Sequence, residues 1–223
     1  MCGRFTLTVP DLDLLAELLG VPADPALAER YRPRYNVAPS DAHLIVAGEK
    51  GGRRLVSATW GLGAQLRINA RSETARERPT FQRAFARGRC VVPADGFFEW
   101  SGPEKARRPL WYRRVDGGLL LMAGLFEPGP AGLRFTILTT PANQLVAQVH
   151  DRMPALLAPA QIDAWLHARS AAEAQKLLRP APEDMLQVTA VSRRLNAVAN
   201  DDPACLEPDP EPPRRPAKQL RLL

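Results

Sequence analysis

In "CVVPADGFFEW" (residues 90–100) an apolar strand-forming run meets Pro, Asp and Gly, which favour a turn, and resumes as Phe97-Phe98-Glu99-Trp100. Further strands are expected on both sides of it. Toward the C-terminus, "PLWYRRVDGGLLLMAGLF" (109–126) predicts a hairpin turning at Asp116-Gly117. "LRFTILTT" (133–140) and "LQVTAV" (186–191) predict two more strands. Toward the N-terminus, "AHLIVA" (42–47) and "RRLVSATW" (53–60) flank a Gly-Gly turn and predict another hairpin. Helices fall between the strands. "PDLDLLAELLG" (10–20) sets Leu12, Leu15 and Leu19 on one face and stops at glycine. "RERPTFQRAFARG" (76–88), "ANQLVAQV" (142–149), "APAQIDAWLHAR" (158–169) and "AAEAQKLL" (171–178) also read as helical. With no regular βαβ alternation and no Gly-rich nucleotide loop, the expected fold class is α+β.

The 223 residues suit one domain, expected over residues 1–207. From Pro208 the sequence "PDPEPPRRPAKQLRLL" is rich in proline and charge, so 208–223 is expected to be a disordered tail. The formal net charge is +6, and of 30 basic residues only Lys50, Lys105, Lys176 and Lys218 are lysines. The guanidinium fork suits phosphate, so a nucleic-acid partner fits this composition; a GC-rich coding sequence fits it equally. Cys2, Cys90 and Cys205 cannot pair completely, and no CxxC or Cys/His cluster has zinc spacing, so reduced thiols and no metal are expected. Residues 1–20 lack the basic and apolar regions of a signal peptide, and no apolar run approaches ~18 residues. A cytoplasmic protein with no membrane partner is expected.

Four places could carry chemistry. If Met1 is removed, Cys2 bears a free α-amine and a thiol two carbons apart. An amine of pKa ~7.7–8.0 is partly neutral near pH 7 and can attack an aldehyde to give an imine. The neighbouring thiol can then close a five-membered thiazolidine, an intramolecular step of high effective molarity. The plainer account of Cys2 is a small second residue that an aminopeptidase tolerates. In "INARSET" (68–74), Asn69 and Arg71 are two apart and share one side of an extended segment, unless the segment is only a polar turn. Glu99 lies among aromatic residues, where desolvation would raise its pKa toward acid–base duty; the alternative is an exposed glutamate on an edge strand. His150, in "VHDRMP" (149–154), follows a short helix, where it suits proton transfer or a structural role. His43 and His167 sit in ordinary strand and helix settings, and Cys90 reads as a small buried hydrophobe.

"MCGRF", "RYNVAPS" (34–40), "WGL" (60–62), "INARSET", "RCVVPADGFFEW", "HDRMP" and "VSRRLNAV" (191–198) occur in an order that resembles the SOS response-associated peptidase family, the SRAP domain. The resemblance runs from Cys2 to about Pro208. It implies a single α+β domain with a curled, barrel-like mixed sheet core and peripheral helices. It also implies a sensor and shield of abasic sites in single-stranded DNA, cross-linked through Cys2 as a thiazolidine, with no cofactor. By the same resemblance Asn69 would orient the opened sugar and the amine, Glu99 would move protons in both directions, and His150 would assist ring opening. Arg4 and Arg71 would hold flanking phosphates. Family members carry aromatic residues after "WG", where this chain reads Leu62-Gly63-Ala64-Gln65-Leu66-Arg67; here Leu62 or Leu66 would be the wedge between bases. The family name carries a second reading, a cysteine-type peptidase that removes its own Met1. A noncovalent reader of damaged or modified DNA is a third. The expected protein is a monomer associated with the nucleoid.

Overall fold

The computed structural model describes residues 2–103 and 106–209. Most of the tail expected from residue 208, namely 210–223, therefore lies outside the described residues. Within them, Pro208 bridges to Val191 and Asp209 forms an ion pair with Arg108 at 2.7 Å.

Five strands pair around a closed circuit. β3 (Ala42–Glu49) pairs with β4 (Gly52–Trp60) and with β6 (Arg89–Ala94). Next, β6 pairs with β9 (Leu120–Gly129), and β9 with β10 (Gly132–Pro141). Finally β10 runs parallel to β4, which closes the ring. The pleat explains why this wall is apolar throughout, because alternate residues serve opposite faces. Val46, Val91, Leu121, Ala123 and Leu125 join a core with Leu15, Phe81, Phe85 and Trp165 from the helices outside. Ile45, Ala47, Cys90, Val92, Met122 and Ile137 join the other core, with Phe5, Phe97 and Tyr112.

Those last three belong to a second, wholly antiparallel sheet. Its order is β13 (Leu186–Ala190), β8 (Arg108–Arg114), β7 (Gly96–Ser101), β1 (Arg4–Leu7) and β2 (Arg34–Val37). Residues 90–100 contain the passage between the two sheets. β6 ends at Ala94 in the barrel, and β7 begins at Gly96 in the second sheet. Asp95 between them accepts hydrogen bonds from the Thr6 hydroxyl and from the Thr8 amide and hydroxyl, which ties β1 to this passage. Gly96 is a strand residue without a positive φ. It is glycine because the Trp111 indole lies across it, with Nε1 only 1.9 Å from where a Cβ would stand.

The hairpin expected over 109–126 does not form. The turn exists, with Gly117 at φ 74 and Asp116 accepting from Arg114 and the Gly118 amide, but its two arms enter different sheets. β8 places Tyr112 in a stack on Phe97 at 5.1 Å, whereas the apolar run of β9 fills both faces of the barrel wall. The hairpin of β3 and β4 does form, with Gly51 at φ 86 in its turn.

The helices cover the barrel. α1 (Leu12–Leu19) buries Leu12, Leu15, Ala16 and Leu19, is capped by the Asp11 side chain, and ends at Gly20 in the left-handed region. α2 (Pro25–Ala28) is one turn. α3 (Ser72–Ala75) follows the short strand β5 (Asn69–Arg71), and α4 (Pro79–Arg87) buries Phe81, Ala84 and Phe85. α5 (Gln144–Ala147) precedes β11 (Arg152–Pro154) and β12 (Leu156–Leu157). The segment expected as a helix over 158–169 is a 3-10 turn followed by the five-residue α6 (Ile162–Leu166), and α7 (Ala171–Lys176) follows. Buried Arg89 ties two of these helices to the wall. It donates to Phe85 O at 2.8 Å near the end of α4, to Trp165 O at 2.7 Å in the last turn of α6 and to Ala168 O at 2.7 Å just beyond it.

Candidate active site around Cys2

β1 pairs with β7 through Arg4–Phe98 and Phe5–Phe97, and continuing that register carries Gly3 and Cys2 alongside Glu99 and Trp100. Cys2 is 0% exposed, and its Sγ lies 3.5 Å from Arg4 O. Burial, and then the charge of Glu99, push its thiol pKa well up, so the sulfur stays protonated. Asn69 arrives from the barrel side. It heads β5, which runs parallel to β10 with Asn69 opposite Ile137, and its Nδ2 donates to Cys2 O at 2.8 Å. Asn69 Oδ1 is buried and has no hydrogen-bond partner among the described residues.

Glu99 is 4% exposed. Burial raises its carboxyl above the ordinary range, opposed in part by the nearby charge of His150. Burial and then Glu99 push the Tyr112 hydroxyl up to about 12. His150 lies just past α5, its amide donating to Val146 O at 3.0 Å. Its Nδ1 is 3.0 Å from the Arg152 amide and 2.9 Å from Asp151 Oδ1. One nitrogen serves these neighbours in different protonation states. In the neutral ring Nδ1 accepts from Arg152 and Nε2 carries the proton, while in the protonated ring Nδ1 donates to Asp151.

Arg4 is held by Asn36 Oδ1 at 2.8 Å and Leu195 O at 3.2 Å, with its guanidinium 5.8 Å from the Trp100 ring centre. Beside it opens a cavity of about 460 Å³ lined by Gly3, Arg4, Trp100, Ala106, Arg107, Arg193 and Asn196. Trp100 Nε1 donates to Asn196 Oδ1 at 2.8 Å, which fixes the indole at the rim. Guanidinium groups beside a fixed indole suit a phosphate and a stacked base.

Cys2, Asn69, Glu99 and His150 thus converge from four separate segments, with Arg4 beside them and Arg71 exposed at the end of β5. The two leucines divide. Leu62 is wholly buried in the core and offers no side chain to a base, which corrects its place among the DNA-contacting candidates. Leu66 is 44% exposed at φ 49. Sequence reasoning assigned no ligand role to Trp100, Arg107, Arg193 or Asn196. Three of them lie inside motifs quoted above, "GFFEW" and "VSRRLNAV", whose mutual contact only the fold supplies.

Residues 1–198 match the model of the SOS response associated peptidase (SRAP) family, and the chain belongs to that family. It is 34% identical over 226 residues to the abasic site processing protein YoqW of Bacillus subtilis, covering 93% of this chain and 99% of that one. It is 31% identical over 225 residues to the abasic site processing protein YedK of Escherichia coli, covering 93% and 100%. A crystal structure of a protein from Bacteroides thetaiotaomicron superposes with a TM-score of 0.82 at 23% identity, over 93% of this chain and 100% of that one, and shares the fold. No helix among the described residues is long and apolar enough to cross a membrane.

Proposed function

We propose that this chain bonds covalently to abasic sites in single-stranded DNA through Cys2, once Met1 has been removed. The observation that carries the reading is the convergence on Cys2 of an amide donor 2.8 Å from its carbonyl, a buried carboxyl and a histidine. The named activity of the relatives, abasic site processing, supports it. The opened sugar presents an aldehyde. The Cys2 amine adds to that carbon, the carbinolamine loses water to give an imine, and Sγ adds to the same carbon. The thiol proton passes to nitrogen as the thiazolidine forms, so one water leaves overall.

Each neighbour has a task in that sequence. Glu99, with its raised pKa, donates a proton to the departing hydroxyl and takes it back in the reverse reaction. Asn69 fixes the Cys2 backbone, and its Oδ1, without a hydrogen-bond partner among the described residues, is available to the incoming groups. His150 moves the proton needed to open the sugar. The buried thiol remains S–H until the imine is present, which spares it from competing reactions. Arg4 and Arg71 bind phosphates on either side, and Leu66 is the residue available to wedge between bases. Removal of Met1 is a peptide hydrolysis, so the peptidase character of the family prepares the reagent.

The test compares protein tagged at the N-terminus with protein tagged at the C-terminus, each mixed with the same abasic oligonucleotide and resolved on a denaturing gel. A retarded band that survives heat and detergent is expected only where the N-terminus is free. Equal bands from both would make another nucleophile responsible, and binding without any band would leave a noncovalent reader.

A further inference from the structure

Asn69 and His150 approach the site from opposite edges of β10. On one edge β5 pairs in parallel, with Arg71 opposite Thr139; on the other β11 pairs antiparallel, with Pro154 opposite Thr139 and Arg152 opposite Pro141. Each of these flanking strands is only three residues long. A short ladder resists sliding and tilting poorly.

One ion pair joins the two flanks. Arg152, 8% exposed, extends from β11 over Thr139, donating to its carbonyl and, at 3.3 Å, to its hydroxyl. It ends on Glu73 of α3 in a two-pronged contact, Nη1 to Oε1 at 2.8 Å and Nη2 to Oε2 at 2.9 Å. Such a fork fixes orientation as well as distance. Glu73 stands four residues after Asn69, and Arg152 two residues after His150. The Arg152 amide is also the group that meets His150 Nδ1, so the anchor of the side chain and the orientation of the imidazole belong to one residue. Burial works most strongly against ionisation of Glu73, but the hydrogen bonds from Arg152 and from its own backbone amide, together with the charges of Arg152 and Arg71, outweigh it and hold the carboxyl below its ordinary range.

We infer that Glu73 is a positioning residue, which by clasping Arg152 across β10 sets the spacing between the Asn69–Cys2 side of the site and His150. The inference rests on the covalent reading above. Glu73 itself is 44% exposed but Arg152 is buried, so a replacement that still offers the guanidinium an acceptor, Glu73→Gln, should be felt in alignment more than in folding. Misplacement of about 1 Å is enough to cost a reaction up to ~100-fold.

The test uses full-length protein with a free Cys2 and three variants, Glu73→Gln, Glu73→Ala and Glu73→Asp. The rate of adduct formation is measured at saturating protein on an abasic oligonucleotide. The affinity for the intact strand of the same sequence and the melting temperature are measured alongside. Gln and Ala are expected to slow the adduct by about tenfold, within the range that misalignment produces. Affinity for the intact strand should hold or tighten, because a negative charge has gone, and melting of the Gln variant, which leaves Arg152 an acceptor, should move by no more than ~4 °C. Asp, which keeps the charge on a shorter arm, should recover part of the rate. Unchanged rates in Gln and Ala overturn the inference, as does a joint fall of rate, affinity and melting temperature, which marks a merely structural pair. If the parent forms no adduct, the covalent reading falls first and this inference with it.

Discussion

Replacing Glu99 by Gln should make the protein more stable and less reactive at once. Glu99 is 4% exposed and burial raises its pKa, so the folded state favours the protonated acid more than the unfolded state does. Between the ordinary carboxylate value and the raised one, the folded protein holds a proton that the unfolded chain has released. Stability is therefore fullest at low pH, declines as pH rises through that window, and reaches its floor above the folded pKa. Every tenfold by which burial disfavours ionisation is worth about 1.4 kcal/mol at that floor. Glutamine has the same shape and no such penalty, so Glu99→Gln should exceed the parent in stability at pH 7 and converge with it near pH 4. The adduct rate should move the other way. A positioned acid–base group contributes ~10²–10⁴-fold, or about 2.7–5.4 kcal/mol of barrier. Urea unfolding from pH 4 to 8, followed by tryptophan fluorescence, reads the first effect, and a gel time course on abasic oligonucleotide reads the second. A variant less stable than the parent at pH 7 would refute the burial argument, and an unchanged rate in both directions would refute the proton-transfer role.

Arg71→Ala should weaken noncovalent binding to intact single strands and flatten the log–log salt dependence by about 0.7, the share of one phosphate contact; an unaltered slope would place Arg71 off the strand. Gly96→Ala sets a Cβ 1.9 Å from Trp111 Nε1, so about 1–3 kcal/mol of stability should be lost, and wild-type stability would mean that the indole is free to move. Arg89→Met strands the carbonyls of Phe85, Trp165 and Ala168, a loss of about 3 kcal/mol or more in urea unfolding; below 1 kcal/mol, these carbonyls have other partners.

Local signals in the sequence read correctly where the structure they describe is itself local. The leucines at 12, 15 and 19 and the glycine at 20 specify α1, its buried face and its end, because spacing and cap lie within one short segment. The β3–β4 hairpin is specified in the same way by its glycines. The 109–126 stretch carries an equally good turn, yet its arms separate, because each strand's partner lies elsewhere in the chain. Pairing partners are decided by volumes and faces summed over distant segments, and no window of sequence holds them. Gly96 is a related case. It reads as a turn glycine, and its reason is an indole fifteen residues on. At the site, Cys2, Asn69, Glu99 and His150 could each be proposed from side-chain chemistry and resemblance. Leu62 could not be told from Leu66, because an apolar residue in a loop gives no sign of which way it packs. The Glu73–Arg152 clasp and the Trp100–Asn196 contact were invisible for the same reason as the strand pairing, since their partners are far apart in sequence.

The parallel seam between β4 and β10 has a kinetic consequence. It joins Thr59 and Trp60 to Arg134 and Phe135, and β5 then takes over the same edge of β10 from Asn69 to Arg71. Closing such a distant contact carries a loop-entropy cost, and non-local pairings of this kind are slow to form. The neighbouring α1 and the β3–β4 hairpin need no such closure. Asn69 is seated only when the seam zips, and until then the carbonyl of Cys2 lacks the donor that holds it. During refolding, helical signal should therefore return before adduct competence does, with the interval between them reporting how long the barrel takes to shut.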